Sequence, residues 1–355
     1  MSIKSIIFIL ISQLPTSVLA ATFCVQDATE LRTALSIAGS NNSFDTIRVS
    51  TGLYQTNGTA FSYYDENGLG LDISGGWSQV TSAPCSAQLG QGLYHTVLDG
   101  DATSAVMDIL LTDSASIHIS QLTFINGLSS DVAGLEISKY EPDNIFTGTY
   151  TLEHNVFANN EGVSTSALEV TGFERLDIRN NLFVDNHSDF ESVLRIGENL
   201  GAEMVLNNNT LVNNLGAIKV SLYGSSQLLL ANNTMRSLYA YDLVVFGGED
   251  WYLYNNNIGR YLSSEEPLAQ FKNYKLPNRF APGTNNYTPA ADSPLIDAGR
   301  TPCALFCPFP LPFTNDWQLG NYALEGQLRE QGNAPDTGAF ESAHTQDIIF
   351  MQVFD

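Results

Sequence analysis

The sequence predicts an all-β chain: a right-handed parallel β-helix, or solenoid, with an N-terminal amphipathic capping helix and an irregular C-terminal cap. Three observations predict it. First, an apolar anchor and a second apolar residue five positions on recur as Ile119/Phe124, Leu152/Phe157, Ile178/Phe183, Leu206/Leu211, Leu230/Met235 and Leu253/Ile258. The step is about 25 residues, too short for a domain and right for one coil. Second, the residue three after the anchor is Leu122 and then Asn155, Asn181, Asn209, Asn233 and Asn256. Third, alternating segments fall between the anchors: "AGLEIS" from Ala133, "SALEVT" from Ser166, "SVLRIG" from Ser192 and "GAIKVS" from Gly216. Alternation of this kind is the mark of a half-buried strand. One coil cannot bury its apolar face alone, so the coils must stack. Leucine-rich repeats share the period, but their Leu spacing is missing here.

The elements follow in chain order. Residues 1–20, "MSIKSIIFILISQLPTSVLA", carry an early Lys4, a short apolar run and the small-residue ending Val18-x-Ala20. They read as a cleaved secretory signal peptide. The run is too short to span a bilayer, so no integral membrane segment is expected after cleavage. Residues 21–44 form the N-terminal cap. Leu31, Ala34, Leu35 and Ala38 share one helical face, and Asp27 with Glu30 makes a capping box. Residues 45–259 are coils, ragged between 55 and 95. Periodicity fades after about Ile258, and residues 260–341 are expected to cover the last coil and its side. Residues 342–355 form a terminal tail ending in "IIFMQVFD".

In this reading Asn155, Asn181, Asn209, Asn233 and Asn256 stack in register. Asn tolerates the left-handed backbone of a sharp turn, and stacked amides can hydrogen-bond as a ladder. An exported chain oxidises its cysteines. Of the three pairings open to Cys24, Cys85, Cys303 and Cys307, sequence proximity favours Cys303 with Cys307, which leaves Cys24 with Cys85. A zinc site is the rival, but the spacing is wrong and no His is near.

Composition limits the function. Lys and Arg total 15 against 38 Asp and Glu, a net charge of -23. Nucleic acid is therefore an unsuitable partner, and acidic polysaccharides would need a bridging metal. A polysaccharide or cell-surface glycan remains the expected partner.

Two regions carry a family resemblance. "FCVQDATELRTALSIAGSNNSFDTIRVSTGLY", with "ISGGW", Cys85 and "TVLDG" after it, resembles the N-terminal part of bacterial exported β-helix repeat proteins of the pectate-lyase-like superfamily. "SPLIDAG" from Ser293 and "DTGAFE" from Asp336 resemble the C-terminal motifs of the choice-of-anchor Q group. The resemblance implies a secreted or outer-surface location and no single activity. The superfamily includes polysaccharide lyases and glycosidases, which use carboxylates, cations and sometimes calcium.

The candidate site is one strand column whose outward residues are Glu136, Glu169, Arg195 and Lys219. As an active site, Glu136 and Glu169 would be acid and nucleophile, with Arg195 and Lys219 as ligands for the sugar. As structure, the column is a solvated face of paired charges, which is the favoured reading. No cofactor is expected, although Asp99 and Asp101 in "LDGDA" could hold calcium. Asp297, Asp316, Asp336 and Glu341 are read as structural. Glu153 followed by Arg179 is a weaker column, and His118, His154 and His187 fall in or near turns without metal-ligand spacing. Trp77, Tyr239, Tyr241, Trp251 and Tyr254 are candidates to stack on sugars or to fill core. The expected function is a non-catalytic adhesin, glycan-binding or scaffold role, with a carbohydrate-active enzyme as the alternative.

Overall fold

The computed structural model describes residues 20–80, 82–89, 95–112, 114–140, 147–197, 200–248, 250–283, 286–302 and 318–345. The expected signal peptide up to residue 19, Cys303, Cys307, Asp316 and the tail beyond residue 345 lie outside them. The described chain is all-β with one helix and long parallel sheets.

β1 (Thr22–Val25) leads into α1 (Ala28–Ser40). The strands then come in layers. The first two are β2 (Asp45–Ser50), β3 (Gly52–Gln55) and β4 (Phe61–Tyr64), then β5 (Gly70–Trp77), β6 (Thr96–Asp99) and β7 (Met107–Leu111). Next are β8 (Ser116–Ser120), β9 (Thr123–Ile125), β10 (Leu128–Ser129) and β11 (Leu135–Lys139). Above them lie β12 (Thr149–Glu153), β13 (Val156–Ala158), β14 (Glu161–Gly162) and β15 (Leu168–Thr171). β16 (Arg175–Arg179), β17 (Leu182–Val184) and β18 (His187–Gly197) precede β19 (Glu203–Asn207) and β20 (Thr210–Ser221). The last layers are β21 (Gln227–Ala231), β22 (Thr234–Ser237) and β23 (Leu243–Phe246), then β24 (Trp251–Tyr254), β25 (Asn257–Ile258) and β26 (Tyr261–Ser263). β27 (Ala269–Phe271) pairs with β24.

Each strand pairs in parallel with its counterpart in the next layer. Face A runs β1-β2-β5-β8-β12-β16-β19-β21-β24-β27. Face B runs β3-β6-β9-β13-β17-β20-β22-β25. Face C runs β4-β7-β11-β15-β18-β20-β23-β26. The long β20 turns the corner and serves both B and C.

Inward side chains make the core. Ile119, Leu152, Ile178, Leu206, Leu230 and Leu253 are register partners down face A, and all are fully buried. On face B the rings of Phe124, Phe157 and Phe183 stack at 4.9 and 4.8 Å, nearly parallel. Each such side chain contributes about 1.5–3 kcal/mol by leaving water. α1 lays Leu31, Ala34, Leu35 and Ala38 against the first layer. The Asp27 side chain accepts from the N–H groups of Thr29 and Glu30, and Glu30 Oε2 accepts from Gln26 N–H. Cys24 and Cys85 form a disulfide that ties β1 to the loop after β5.

The double Asn serves two functions in two adjacent residues, where the sequence reading gave both to one. The left-handed residue is the one before the ladder: His154, Asn180, Asn208, Asn232 and Asn255 have φ between 51° and 57°. The ladder itself is Asn155, Asn181, Asn209, Asn233 and Asn256. Each Nδ2 donates to the Oδ1 of the next, at 3.1, 3.1, 3.0 and 2.9 Å. Asn256 passes the bond on to Asn273 at 3.2 Å, so the pattern continues beyond Ile258. A second ladder, Asn160 to Asn186 to Asn214, stands at the corner between faces B and C with bonds of 3.0 and 2.9 Å. Its residues follow the first ladder by five positions, a signal present in the sequence.

The outward-turned Asn residues hold the C-terminal segment against the side of the stack. Asn180 Nδ2 donates to Leu319 O, Asn208 Nδ2 to Asp336 O, and Asn232 Nδ2 to Arg300 O. Arg329, fully buried, donates to the backbone oxygens of Gly338 and Ala339 and to Asn180 Oδ1.

Candidate functional site

Glu136, Glu169, Arg195 and Lys219 lie on β11, β15, β18 and β20, each the register partner of the next across face C. Parallel strands hold neighbours about 4.8 Å apart, so the four form a straight row. Asp108 on β7 is the register partner of Glu136 and extends the row by one carboxylate. Sequence reasoning missed it because "VMDILL" precedes the first anchor, Ile119, so no anchor numbers the strand.

The row has a sign gradient. Burial pushes the Asp108 and Glu136 carboxyls up, and Glu136 is raised further by Asp108, Glu169 and Asp131. Glu169 Oε2 accepts from Thr165 Oγ1 at 2.8 Å, and Oε1 meets Arg195 Nη1 at 3.3 Å. Lys219 Nζ donates to Phe190 O at 2.5 Å. Arg195 and Lys219 therefore do different work: one neutralises a carboxylate, the other is tied to backbone. The Glu169–Arg195 pair is half in water and contributes only about 0.2–1 kcal/mol. Tyr64 on β4 and Phe246 on β23 are exposed on the same face, beyond opposite ends of the carboxylate-to-cation row.

A second polar chain crosses face A. His118, expected in or near a turn, lies in the middle of the short strand β8. Its Nδ1 is 3.2 Å from Asp72 Oδ1 and its Nε2 is 3.2 Å from Glu153 Oε1. Glu153 Oε2 accepts from Arg179 Nε at 2.7 Å. The bonds to Asp72 and Glu153 raise His118 to about 9 against the opposing effect of burial. Burial pushes Glu153 up, but its bonds to His118 and Arg179 outweigh that and hold it at about 2. An imidazolium locked between two carboxylates is a poor general base near neutrality. His154 is a buried turn residue whose Nε2 meets Tyr322 O at 3.0 Å, and His187 opens β18 on the surface.

The remaining carboxylate candidates make contacts within the fold. Asp99 Oδ1 accepts from Asp101 N–H and Asn126 Nδ2, so this oxygen is spent on the turn. Calcium needs six to eight converging oxygens. Among the described residues no group of three or more His, Cys, Asp and Glu side chains is arranged to hold a metal ion. Asp297 Oδ1 caps Asn333 N–H, and Asp336 accepts from Asp297 N–H and Ser342 N–H. Trp251 and Tyr254 are fully buried, and Trp77 lies under Arg48 at 4.3 Å. Tyr239 is exposed, and Tyr241 is partly so.

The chain matches no protein-family model, no curated protein and no solved structure. No helix among the described residues is long and apolar enough to cross a membrane.

Proposed function

We propose that the chain is an exported right-handed parallel β-helix protein of the cell envelope or exterior that binds a glycan along face C without cleaving it. The handedness rests on the rule that parallel strands joined by a crossover are connected right-handedly. Export rests on residues 1–20, and the surface location on the resemblance to the choice-of-anchor Q group. The observation that carries the binding function is the row Asp108, Glu136, Glu169, Arg195 and Lys219. It offers a hydrogen-bonding side chain about every 4.8 Å on a rigid backbone. Exposed Tyr64 and Phe246 supply faces on which a sugar ring can stack. Glu169, held by Thr165 and Arg195, is engaged as a ligand rather than poised as a nucleophile.

The second reading is a glycosidase. One observation favours it: a carboxyl pushed up, Glu136, stands one strand from the Glu169 carboxylate. Retaining glycosidases set such a pair about 5–5.5 Å apart. A polysaccharide array, read for retention and for released product with and without calcium, separates the two. Binding should fall about tenfold or more in Arg195→Ala with Lys219→Ala. Product release lost in both Glu136→Gln and Glu169→Gln would establish the enzyme instead.

A further inference from the structure

Away from the face C row, three of the chain's 15 cations line one open cavity of about 520 Å³ near the last layers. They are Arg236 on β22, Arg260 between β25 and β26, and Lys275 in the segment after β27. The volume is that of an ordinary small-ligand site. In a chain of net charge -23, such convergence runs against the overall field.

The one carboxylate in the wall is already committed. Asp242 is buried, with Oδ1 accepting from Ser237 N–H and Oδ2 from Gly259 N–H and Arg260 N–H. Arg236 Nη1 lies 3.6 Å from Asp242 Oδ2, and Arg236 Nη2 donates to Leu276 O at 2.9 Å. Arg236 is thus a fixed charge in the wall. Gly259 makes room for this pair, since a Cβ there would meet Arg236 Nη1 and Asp242 Oδ2 at 2.4 and 2.5 Å. Arg260 and Lys275 are different. Both are exposed, and among the described residues neither side chain makes a hydrogen bond or ion pair. Two uncommitted cations thus face one cavity whose own anion is internally satisfied. The exposed Tyr239 stands beside them, its hydroxyl hydrogen-bonded to Glu191.

We propose that this cavity binds the phosphate monoester group of a phosphorylated saccharide. Three cations against one carboxylate leave the cavity wall at +2, and Glu191, on the Tyr239 hydroxyl, is not part of that wall. A phosphate monoester carries about −1.5 to −2 near neutrality, which matches it better than a singly charged carboxylate or sulfate ester. Arg260 supplies a planar fork of donors and Lys275 a mobile point charge, both suited to phosphate oxygens. The Tyr239 ring provides an apolar face for the sugar.

The test is calorimetric titration of the full chain with mannose 6-phosphate, mannose, inorganic phosphate and inorganic sulfate. Mannose 6-phosphate should bind and mannose should not. Affinity should fall about tenfold or more in Arg260→Ala with Lys275→Ala. It should stay unchanged in Arg279→Ala, whose exposed pair with Asp292 lies outside the cavity wall. Tyr239→Ala should weaken the sugar phosphate and spare inorganic phosphate. No binding at millimolar ligand, or a double variant with wild-type affinity, would overturn the proposal. Inorganic phosphate binding as tightly as the sugar phosphate overturns the saccharide half, and equal affinity for sulfate overturns the charge match. The face C variants test a separate site, so failure of one proposal leaves the other standing.

Discussion

Asn209 shows how much one amide can hold. Its Nδ2 donates to Ile178 O and Asn233 Oδ1, and its Oδ1 accepts from the backbone and side chain of Asn181. All of these groups are buried, and an unmatched buried polar group costs about 1–3 kcal/mol. Asn209→Ala should therefore destabilise the chain by about 2–3 kcal/mol in urea unfolding; a loss under half a kcal/mol would remove the ladder from the account. His118 gives a pH signature. Its folded value, about 9, is above its unfolded one. The stability it contributes is complete below about pH 6.5 and lost as pH rises through about 9. His118→Gln should be less stable than wild type at pH 6 and should converge on it above pH 9. A constant difference across that range would contradict the ion pairs. The ladder is visible in the sequence because each Asn sits at a fixed offset from an apolar anchor. The His118 chain is hidden: Asp72 and Glu153 reach it across layers of unequal length, and only register brings them together.

At the scale of elements, the first layer is held by α1 and by the Cys24–Cys85 bond. The two cysteines are 61 residues apart, a long loop whose closure restricts the unfolded chain. The chain-entropy relation puts that restriction at about 4 kcal/mol. Cys24→Ser with Cys85→Ser should lower unfolding free energy by about 2–5 kcal/mol, with the earliest loss of amide protection in β1 and α1. Uniform loss across all layers would argue against a separately stapled cap. The helix was legible from its face and its capping box. Face C was legible from "GLEIS" through "AIKVS", where alternation names the outward residue. Asp108 was not, because long insertions between β5 and β7 break the count from which its register would be read.

On the scale of the whole molecule, the C-terminal segment is a clasp running along the layers. Its anchors are too far apart in sequence to be seen there: Arg329 meets Asn180 across 149 positions. The segment itself carries two buried carboxyls. Burial raises Asp336 to about 6, with Asp297 adding to the rise, and raises Glu341 to about 8, with Asp336 adding to it. Both folded values exceed the unfolded ones, so the folded state holds protons that the unfolded state has released. Stability should therefore fall as pH rises from about 4 to about 8. Glu341→Gln should flatten the upper part of that curve in thermal unfolding; an unchanged slope would show that Glu341 is not its source.

Function also belongs to this scale, because the face C row exists only when the layers are stacked. The most direct measurement follows one polysaccharide on the full chain, with retention and new reducing ends read from the same sample over time. The expected result is retention that Arg195→Ala with Lys219→Ala removes, and no new ends at any time. New ends that accumulate with wild type and vanish in Glu136→Gln would contradict it.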